Sequence, residues 1–335
     1  MSAGPWRCPR CRGAVRASGA VLACEACGVS YPLVGDIPDF RVDAPSWVEP
    51  ERDREQAREL LALGDSASAA DLVARVFRRR AGWTDREIRR RTEQLLELPS
   101  RMQRELDEWL RAPTETGQPF LDVGCGPGAL LAAAARKGRH GIGIDVSLEW
   151  LVVARRMMQE HGGHPVLAAA MAEALPLADG SAGGVLSLDV IEHVADQERT
   201  LREIGRVLAP GGVCVLATPN RFSLTPEPHV GVWGVGWLPR PWQEPYVRWR
   251  SGKPYDCRLL SPLELRRMMR AVTSLDVRLA VPPVPAEDLA RFARPKALVA
   301  RCYNTLLEYR PFTRSILFIC PFFHVIAFAR TTPRA

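Results

Sequence analysis

The stretch Pro119-Phe-Leu-Asp-Val-Gly-Cys-Gly-Pro-Gly128 decides how this chain is read. Phe120, Leu121 and Val123 form a short apolar run that fits a buried strand, with Asp122 inside it. Gly124, Gly126 and Gly128 follow at every second position, and Ala129–Lys137 continues as a helix-like run. A strand, a glycine turn and a helix in that order make a nucleotide-binding turn. The glycines let backbone approach a ligand with no Cβ in the way, and the helix N-terminus offers free N–H groups. The spacing differs from the G-x-G-x-x-G of dinucleotide enzymes, which argues against an NAD-dependent oxidoreductase. Gly141–Asp145 reads as a second strand and ends on Asp145. That places an acidic side chain about 20 residues past the glycine turn, where it can accept both ribose hydroxyls of a nucleoside.

Beyond this unit, strand and helix patterns alternate, which predicts an α/β fold with a parallel sheet and helices on both faces. Helix with Ser147 as its cap runs to about Glu160, and Gly162-Gly163 stops it. Val166–Ala170 and Val185–Asp189 read as strands three and four, followed by a helix over Gln197–Leu208. Pro210-Gly-Gly212 turns into strand five, Val213–Thr218. Ser261-Pro262-Leu263-Glu264 is a capped helix start with proline at the first helical position. Leu275–Val281 and Phe323–Arg330 are expected to close the sheet as an antiparallel pair, and Ser315–Ala329 as a whole reads as buried strands.

Leu121–Gly128 followed by Gly143-Ile-Asp145 closely resembles the class I S-adenosylmethionine (SAM) methyltransferases. Glu192-His193-Val194 and Arg206-Val-Leu-Ala-Pro-Gly-Gly212 match later motifs of the same family. The resemblance implies a Rossmann-like seven-stranded sheet, mostly parallel with an antiparallel last strand. It implies that Asp122, Gly124 and Gly126 hold the methionine part of SAM and that Asp145 binds the ribose, with Cys125, Gly128 and Val146 beside them in the cofactor site. Met171, Ala172 and Asp189 complete the expected cofactor site. Two positions depart from the family pattern. Met171 stands where an aspartate commonly meets the adenine amino group, and Ala182-Gly183 replaces the usual Phe-Asp before strand four.

Cys8-x2-Cys11 and Cys24-x2-Cys27 are separated by 12 residues. Two such knuckles place four thiolates at the corners of a tetrahedron suited to structural Zn²⁺, and a segment this short gains much of its folding energy from the metal. The following Tyr31–Asp39 resembles small zinc-ribbon proteins that partner methyltransferases, and similar ribbons front some enzymes that modify ribosomal RNA. The expected organisation is a zinc ribbon over residues 1–41, a linker and helical lid over 42–113, and a methyltransferase domain over 114–335. Residues 220–258 form its substrate insertion. The lid carries an apolar face at Leu72, Val73, Val76 and Phe77, a capping box at Thr84 and Glu87, and a second face at Met102, Leu106, Trp109 and Leu110. It also carries Arg75, Arg78, Arg79, Arg80, Arg86, Arg89, Arg90 and Arg91, read as a solvated face rather than a phosphate-binding one, since no aromatics alternate with them to stack bases.

The chain of 335 residues is 47% hydrophobic, with a net charge of +7 and a pI near 9.1. That charge favours an acidic or polyanionic partner without choosing among RNA, a phosphorylated substrate and peripheral contact with an anionic membrane. The N-terminus lacks the apolar core of a secretion signal, and Ser315–Ala329 is too short to span a bilayer. Four of the nine cysteines sit in the metal pattern and five are scattered, the usage of a cytoplasmic protein. Asp189-x-x-Glu192-His193 resembles a run in methyltransferases of ubiquinone synthesis, some of which bind a divalent cation there. Glu227 and His229 are possible general bases, and His193 and His229 are the two candidate catalytic histidines. Trp233, Trp237, Trp242 and Trp249 with nearby arginines suit enclosure of an apolar or ring-shaped substrate bearing acidic groups, and equally the stacking of bases. The expected function is SAM-dependent methyl transfer to oxygen or carbon of a small-molecule or lipid-like acceptor. An RNA methyltransferase and a non-catalytic partner-binding module with a degenerate cofactor pocket are the alternatives.

Overall fold

The computed structural model describes residues 4–41, 44, 48–79, 82–109 and 117–330; within these, only the backbone of residues 65, 105, 108, 310, 311 and 314 is described. Val42, Pro45, Arg80, Leu110 and Pro113, which entered the readings of linker and helical region, lie outside the described residues. Contacts divide the chain into two units. The first holds residues 1–187, 194–214 and 328–335, and the second holds 188–193 and 215–327.

The first unit begins with an antiparallel meander: β1 (Val15–Ser18), β2 (Val21–Cys24), β3 (Ser30–Val34) and β4 (Ile37–Pro38). Val15 pairs with Cys24 and Val21 with Pro32. Tyr31 and Trp6 pack on Phe40, with ring centroids 4.8 and 5.8 Å apart. Three helices follow: α1 (Pro50–Leu61), α2 (Ala69–Arg78) and α3 (Asp85–Trp109). Ser68 and Asp71 cap α2 reciprocally, and Glu87 Oε2 accepts from the Thr84 amide at 2.8 Å ahead of α3. Leu72, Val73, Val76 and Phe77 are all buried, as their spacing predicts.

The same unit continues as β5 (Phe120–Val123), α4 (Ala129–Ala135), β6 (Gly141–Asp145), α5 (Leu148–Glu160), β7 (Val166–Ala169), β8 (Ala182–Leu188), α6 (Gln197–Val207) and the start of β9 (Leu208–Pro219). β5 pairs in parallel with β6 and with β8, and β6 with β7. Helices α1 and α2 pack on α5, and α3 packs on α4. Helix α5 runs from its Ser147 cap to Glu160 as read, whereas α4 and α6 end two residues and one residue earlier than the sequence reading. The larger difference is at β9, which starts five residues early and takes in Pro210-Gly-Gly212. Leu208 and Ala209 are buried there, while Pro210 and Gly211 are exposed and Gly211 keeps a φ of +77°, the backbone a turn needs.

The second unit contains the rest of β9, α7 (Arg240–Ser251), α8 (Pro262–Val272), β10 (Asp276–Ala280), α9 (Ala286–Arg291), α10 (Arg294–Leu307), α11 (Arg310–Ile316) and β11 (Phe322–Phe328). Ser261 and Glu264 cap α8 reciprocally. Ser315–Ala329 is not strand throughout. Its first residues end α11, Phe318 and Ile319 are exposed, and only β11 alternates, with Phe323, Val325 and Ala327 buried. The insertion is not an open loop either. Val232, Val235, Val247, Tyr255 and Cys257 form its own small core. Gln243 and Val247 are the buried positions of α7, so Trp242 and Trp249 fall on its outer side at 67% and 76% exposure. Trp233 and Trp237 are exposed too, so all four tryptophans stand on the surface of the insertion rather than in its core.

Among the described residues, the mixed seven-stranded sheet runs β10-β11-β9-β8-β5-β6-β7. This is the Rossmann-like α/β order, with β5, β6 and β8 adjacent at its middle. Gly128 holds the turn into α4. Its φ is +78°, and a Cβ there would lie 2.8 Å from the Ala154 Cβ on α5. Gly128→Ala is expected to cost about 1–3 kcal/mol, read as a lower urea midpoint at unchanged m-value. An unchanged midpoint would show that α4 and α5 yield freely.

Candidate functional site

Between β5 and β6, the chain's glycine turn folds back on the next strand. The amides of Gly124 and Cys125 donate to the Ile144 carbonyl at 2.7 and 3.0 Å. Asp145, at the carboxyl end of β6, accepts from the Gly126 amide through Oδ2 at 2.8 Å and from the Ser147 amide through Oδ1 at 2.9 Å. Gly126 has a φ of +48°, and a Cβ built on it would meet nothing within 4 Å. The turn thus presents bare backbone to open space beside a carboxylate with spare lone pairs. Asp122 is buried on β5, and burial followed by the Asp145 charge pushes its carboxyl up to about 8. Asp145 is also raised, mainly by burial. The Cys125 thiol is buried and held in its neutral form for the same reason. Met171 and Ala172 are buried beyond β7, and Glu173 Oε1 accepts from the Ala195 amide at 2.9 Å.

A network that the sequence did not reveal braces this loop. Asp39 leaves the ribbon beside β7, where the Phe40 amide donates to the Ala169 carbonyl at 2.7 Å. Arg41, whose side chain is fully buried, donates to both Asp39 oxygens at 2.8 and 2.7 Å and to the Val146 carbonyl at 2.9 Å. It also pairs with Asp53 on α1 at 2.5 Å. Asp53 in turn accepts from the Leu148 amide at 2.8 Å and the Glu149 amide at 3.3 Å, so it caps α5 together with Ser147. Arg54 adds a second ion pair to Asp39 at 2.7 Å. The only legible signal was Asp39-Phe-Arg41 itself, two opposite charges around a phenylalanine at the ribbon's exit.

The ribbon cysteines converge as their spacing requires. Cys8, Cys11, Cys24 and Cys27 bring their sulfurs within 4.8 Å of one another, with Cys8–Cys27 at 3.7 Å and Cys11–Cys24 at 3.4 Å. Zn–S bonds of about 2.3 Å in a tetrahedron give an edge of about 3.8 Å, so the four thiols fit Zn²⁺. The Tyr31 hydroxyl lies 3.0 Å from Cys8 Sγ and supplies a hydrogen bond to the sulfur.

The second unit holds a separate polar cluster just past β8. Asp189 has a left-handed φ of +55° and a carboxyl raised by burial. The His193 amide closes the turn onto the Val190 carbonyl at 2.9 Å. His193 and His229 meet at Nε2 with 3.1 Å between them, and Glu227 Oε1 lies 2.5 Å from His229 Nδ1. Cys257 Sγ sits 3.6 Å from His193 Nδ1. Glu192 is buried, its Oε2 accepting from the Thr218 hydroxyl at 3.0 Å, and burial pushes it up to about 7. Burial, then His229, lowers His193, whereas Cys257 and Glu227 push His229 up to about 10. The structure thus brings both sequence-picked histidines together. Sequence reasoning missed Cys257, one of the scattered cysteines. It grouped His193 with Asp189 and Glu192, whereas among the described residues the donor group around His193 takes in His229 and Cys257.

Residues 121–216 match the family model for a methyltransferase domain. The ubiquinone biosynthesis O-methyltransferase of Methylocella silvestris is 33% identical over 171 residues, which cover 49% of this chain and 60% of that protein. The protein of the same name from Parvibaculum lavamentivorans is 35% identical over 127 residues, covering 36% and 49%. The chain spans about half the length of the curated relatives it matches. A structure of phosphoethanolamine N-methyltransferase 2 from Haemonchus contortus, in complex with SAM, aligns with 77% of this chain and 60% of that one. Its TM-score is 0.47 and its identity 20%. Residues 121–216 carry a methyltransferase domain of the class I SAM-dependent type.

Replacing Arg41 by leucine leaves Asp39 charged and buried without its main partner, which costs about 3–5 kcal/mol in comparable pairs. The Asp39 carboxyl is drawn up by burial but held below the ordinary carboxylate range by Arg41 and Arg54. Its stabilisation is therefore present above the unfolded-state value near 3.9 and is lost as pH falls through the lower folded value. R41L is expected to lower the melting temperature at pH 7 and to flatten the acid limb of the stability curve. An acid limb identical to the wild type would remove Asp39–Arg41 from the account.

Proposed function

We propose that the chain transfers a methyl group from SAM to oxygen or carbon of a small-molecule or lipid-like acceptor. The observation that carries this reading is Asp145 receiving the Gly126 and Ser147 amides at the ends of β5 and β6. Ligands of open α/β sheets bind at such strand ends, where the strand order reverses. In this reading Asp145 and Val146 hold the ribose, and Asp122, Gly124, Cys125, Gly126 and Gly128 face the methionine moiety. Asp122, neutral through burial, is able to donate a hydrogen bond. Met171 and Ala172 receive the adenine by apolar contact, without the acidic side chain common in the family. Asp189 follows at the end of β8. The bound cofactor supplies an electrophilic methyl on a sulfonium.

Transfer is an in-line displacement, so the protein's chief task is alignment. A hydroxyl acceptor also gives up its proton as the bond to carbon forms, and the cluster of His193 and His229 is the assigned place for that acceptor group. The names of the similar proteins support an O-methyltransferase of the ubiquinone type. The ribbon is read as a structural Zn²⁺ module that fixes Arg41. The free thiols among the described residues support a cytoplasmic setting, and no described helix is long and apolar enough to cross a membrane.

Incubating the full chain with methyl-labelled SAM and a host extract, then fractionating, tests the reading. Label is expected in the small-molecule or organic-soluble fraction. Label confined to RNA would replace the acceptor class, and no label anywhere, with no S-adenosylhomocysteine binding by calorimetry, would sink the enzyme reading. Asp145→Ala is expected to weaken S-adenosylhomocysteine binding by at least tenfold, since it removes the acceptor for two hydroxyl hydrogen bonds worth about 1 kcal/mol or more each. Chelation of the ribbon metal is expected to lower the melting temperature of the chain. An unchanged melting curve after complete metal removal would make the ribbon self-sufficient.

A further inference from the structure

The cluster past β8 has the donor set and spacing of a transition-metal site. His193 Nε2 and His229 Nε2 are 3.1 Å apart, and Cys257 Sγ is 3.6 Å from His193 Nδ1. One ligand atom from each of the three lies within 4.8 Å of the others. Bonds of about 2.0–2.1 Å to nitrogen and 2.3 Å to sulfur give tetrahedral edges of about 3.3–3.5 Å. The two short distances use different nitrogens of His193, so its ring has to turn a single nitrogen toward both partners to hold one ion.

The surroundings match what such a site needs. Glu227 is buried, and its Oε2 is fixed by the amides of His229 at 3.0 Å and Val230 at 2.9 Å. Its Oε1 accepts a hydrogen bond from His229 Nδ1–H, so that once an ion displaces the Nε2 proton the Nε2 lone pair faces the cluster. A carboxylate on the far nitrogen of a histidine is the usual outer partner of a metal ligand. The Arg258 amide donates to the Glu192 carbonyl at 2.8 Å, tying the Cys257 segment to the His193 segment. Glu192 is 1% exposed, and its Oε1 has no hydrogen-bond partner. That oxygen lies 3.9 Å from His229 Nε2. A buried carboxylate oxygen with no donor is costly, and a water on a metal held by the three ligands would supply that donor.

We propose that His193, His229 and Cys257 bind one first-row transition-metal ion of the Zn²⁺ type, with Glu227 orienting His229 and Glu192 receiving a hydrogen bond from the oxygen at the fourth position. Thiolate and imidazole favour Zn²⁺, Co²⁺ and their neighbours over Mg²⁺ or Ca²⁺. Three protein ligands leave one position for exchange, the pattern of reactive rather than structural sites. Metal binding here does not depend on the methyl-transfer reading above.

The test uses the full chain, stripped with a chelator and titrated with Co²⁺ and then Zn²⁺. Two equivalents are expected, one with the strong thiolate-to-Co²⁺ absorption of four sulfurs and one with a single-thiolate spectrum. Cys257→Ser and His229→Ala are each expected to reduce binding to one equivalent while the four-sulfur spectrum persists. That persisting spectrum, with unchanged circular dichroism, shows that the variants are folded. Alkylation of Cys257 in the wild type, followed by peptide mass mapping, is expected to slow at least tenfold when Zn²⁺ is present. One equivalent in the wild type, two in both variants, or no protection of Cys257 overturns the proposal. Metal uptake at this cluster without S-adenosylhomocysteine binding would keep the site and remove the methyl-transfer reading instead.

Discussion

The strand-turn-helix unit around β5 and β6 rests on one carboxylate. Asp145 ends β6 and accepts the Gly126 amide from the neighbouring turn and the Ser147 amide from its own loop. Both donors would otherwise be left unpaired at the edge of a cleft. The bond therefore fixes where the glycine turn sits relative to the second strand, and with it the direction of the α4 N-terminus. The carboxylate keeps lone pairs to spare after these contacts. Local structure and the proposed cofactor recognition thus use the same group.

The loop carrying Asp145 is not held by the sheet alone. Arg41 reaches it from the ribbon and Asp53 from α1, each bonding backbone on either side of Ser147. Three charges, Asp39, Arg41 and Asp53, share this interior with only Asp53 partly open to solvent. Buried ions are stable only when each is paired and hydrogen-bonded, and here the backbone of the cofactor loop provides part of that satisfaction. The ribbon thereby acts on the site through a polar network rather than through contact with a ligand. It also covers the edge at β7, where unpaired strand groups would otherwise be exposed.

Much of this was legible along the chain. The glycine turn, Asp145, the capping boxes at Thr84 and Ser261, and the cysteine knuckles are local patterns whose physics acts over a few residues. They reappear where the sequence put them. The insertion was less legible. Its tryptophans drew attention as a substrate enclosure, yet Gln243 and Val247 take the inner face of α7 and leave Trp242 and Trp249 outside. Aromatic content says that a surface is sticky. The helix register decides which surface it is, and Pro239, Pro241 and Pro245 obscured that register.

The sequence by itself determined the α/β class, the four-cysteine ribbon and the cofactor turn, because each depends on periodicity or on short fixed spacings. Only the tertiary structure decided that Arg41 lies against Val146 and that Cys257 joins His193 and His229. Those contacts span 105, 64 and 36 positions in the chain. No local rule connects residues so far apart. Their meeting is set by how strands and loops pack, and by the need to satisfy each buried charge once they do.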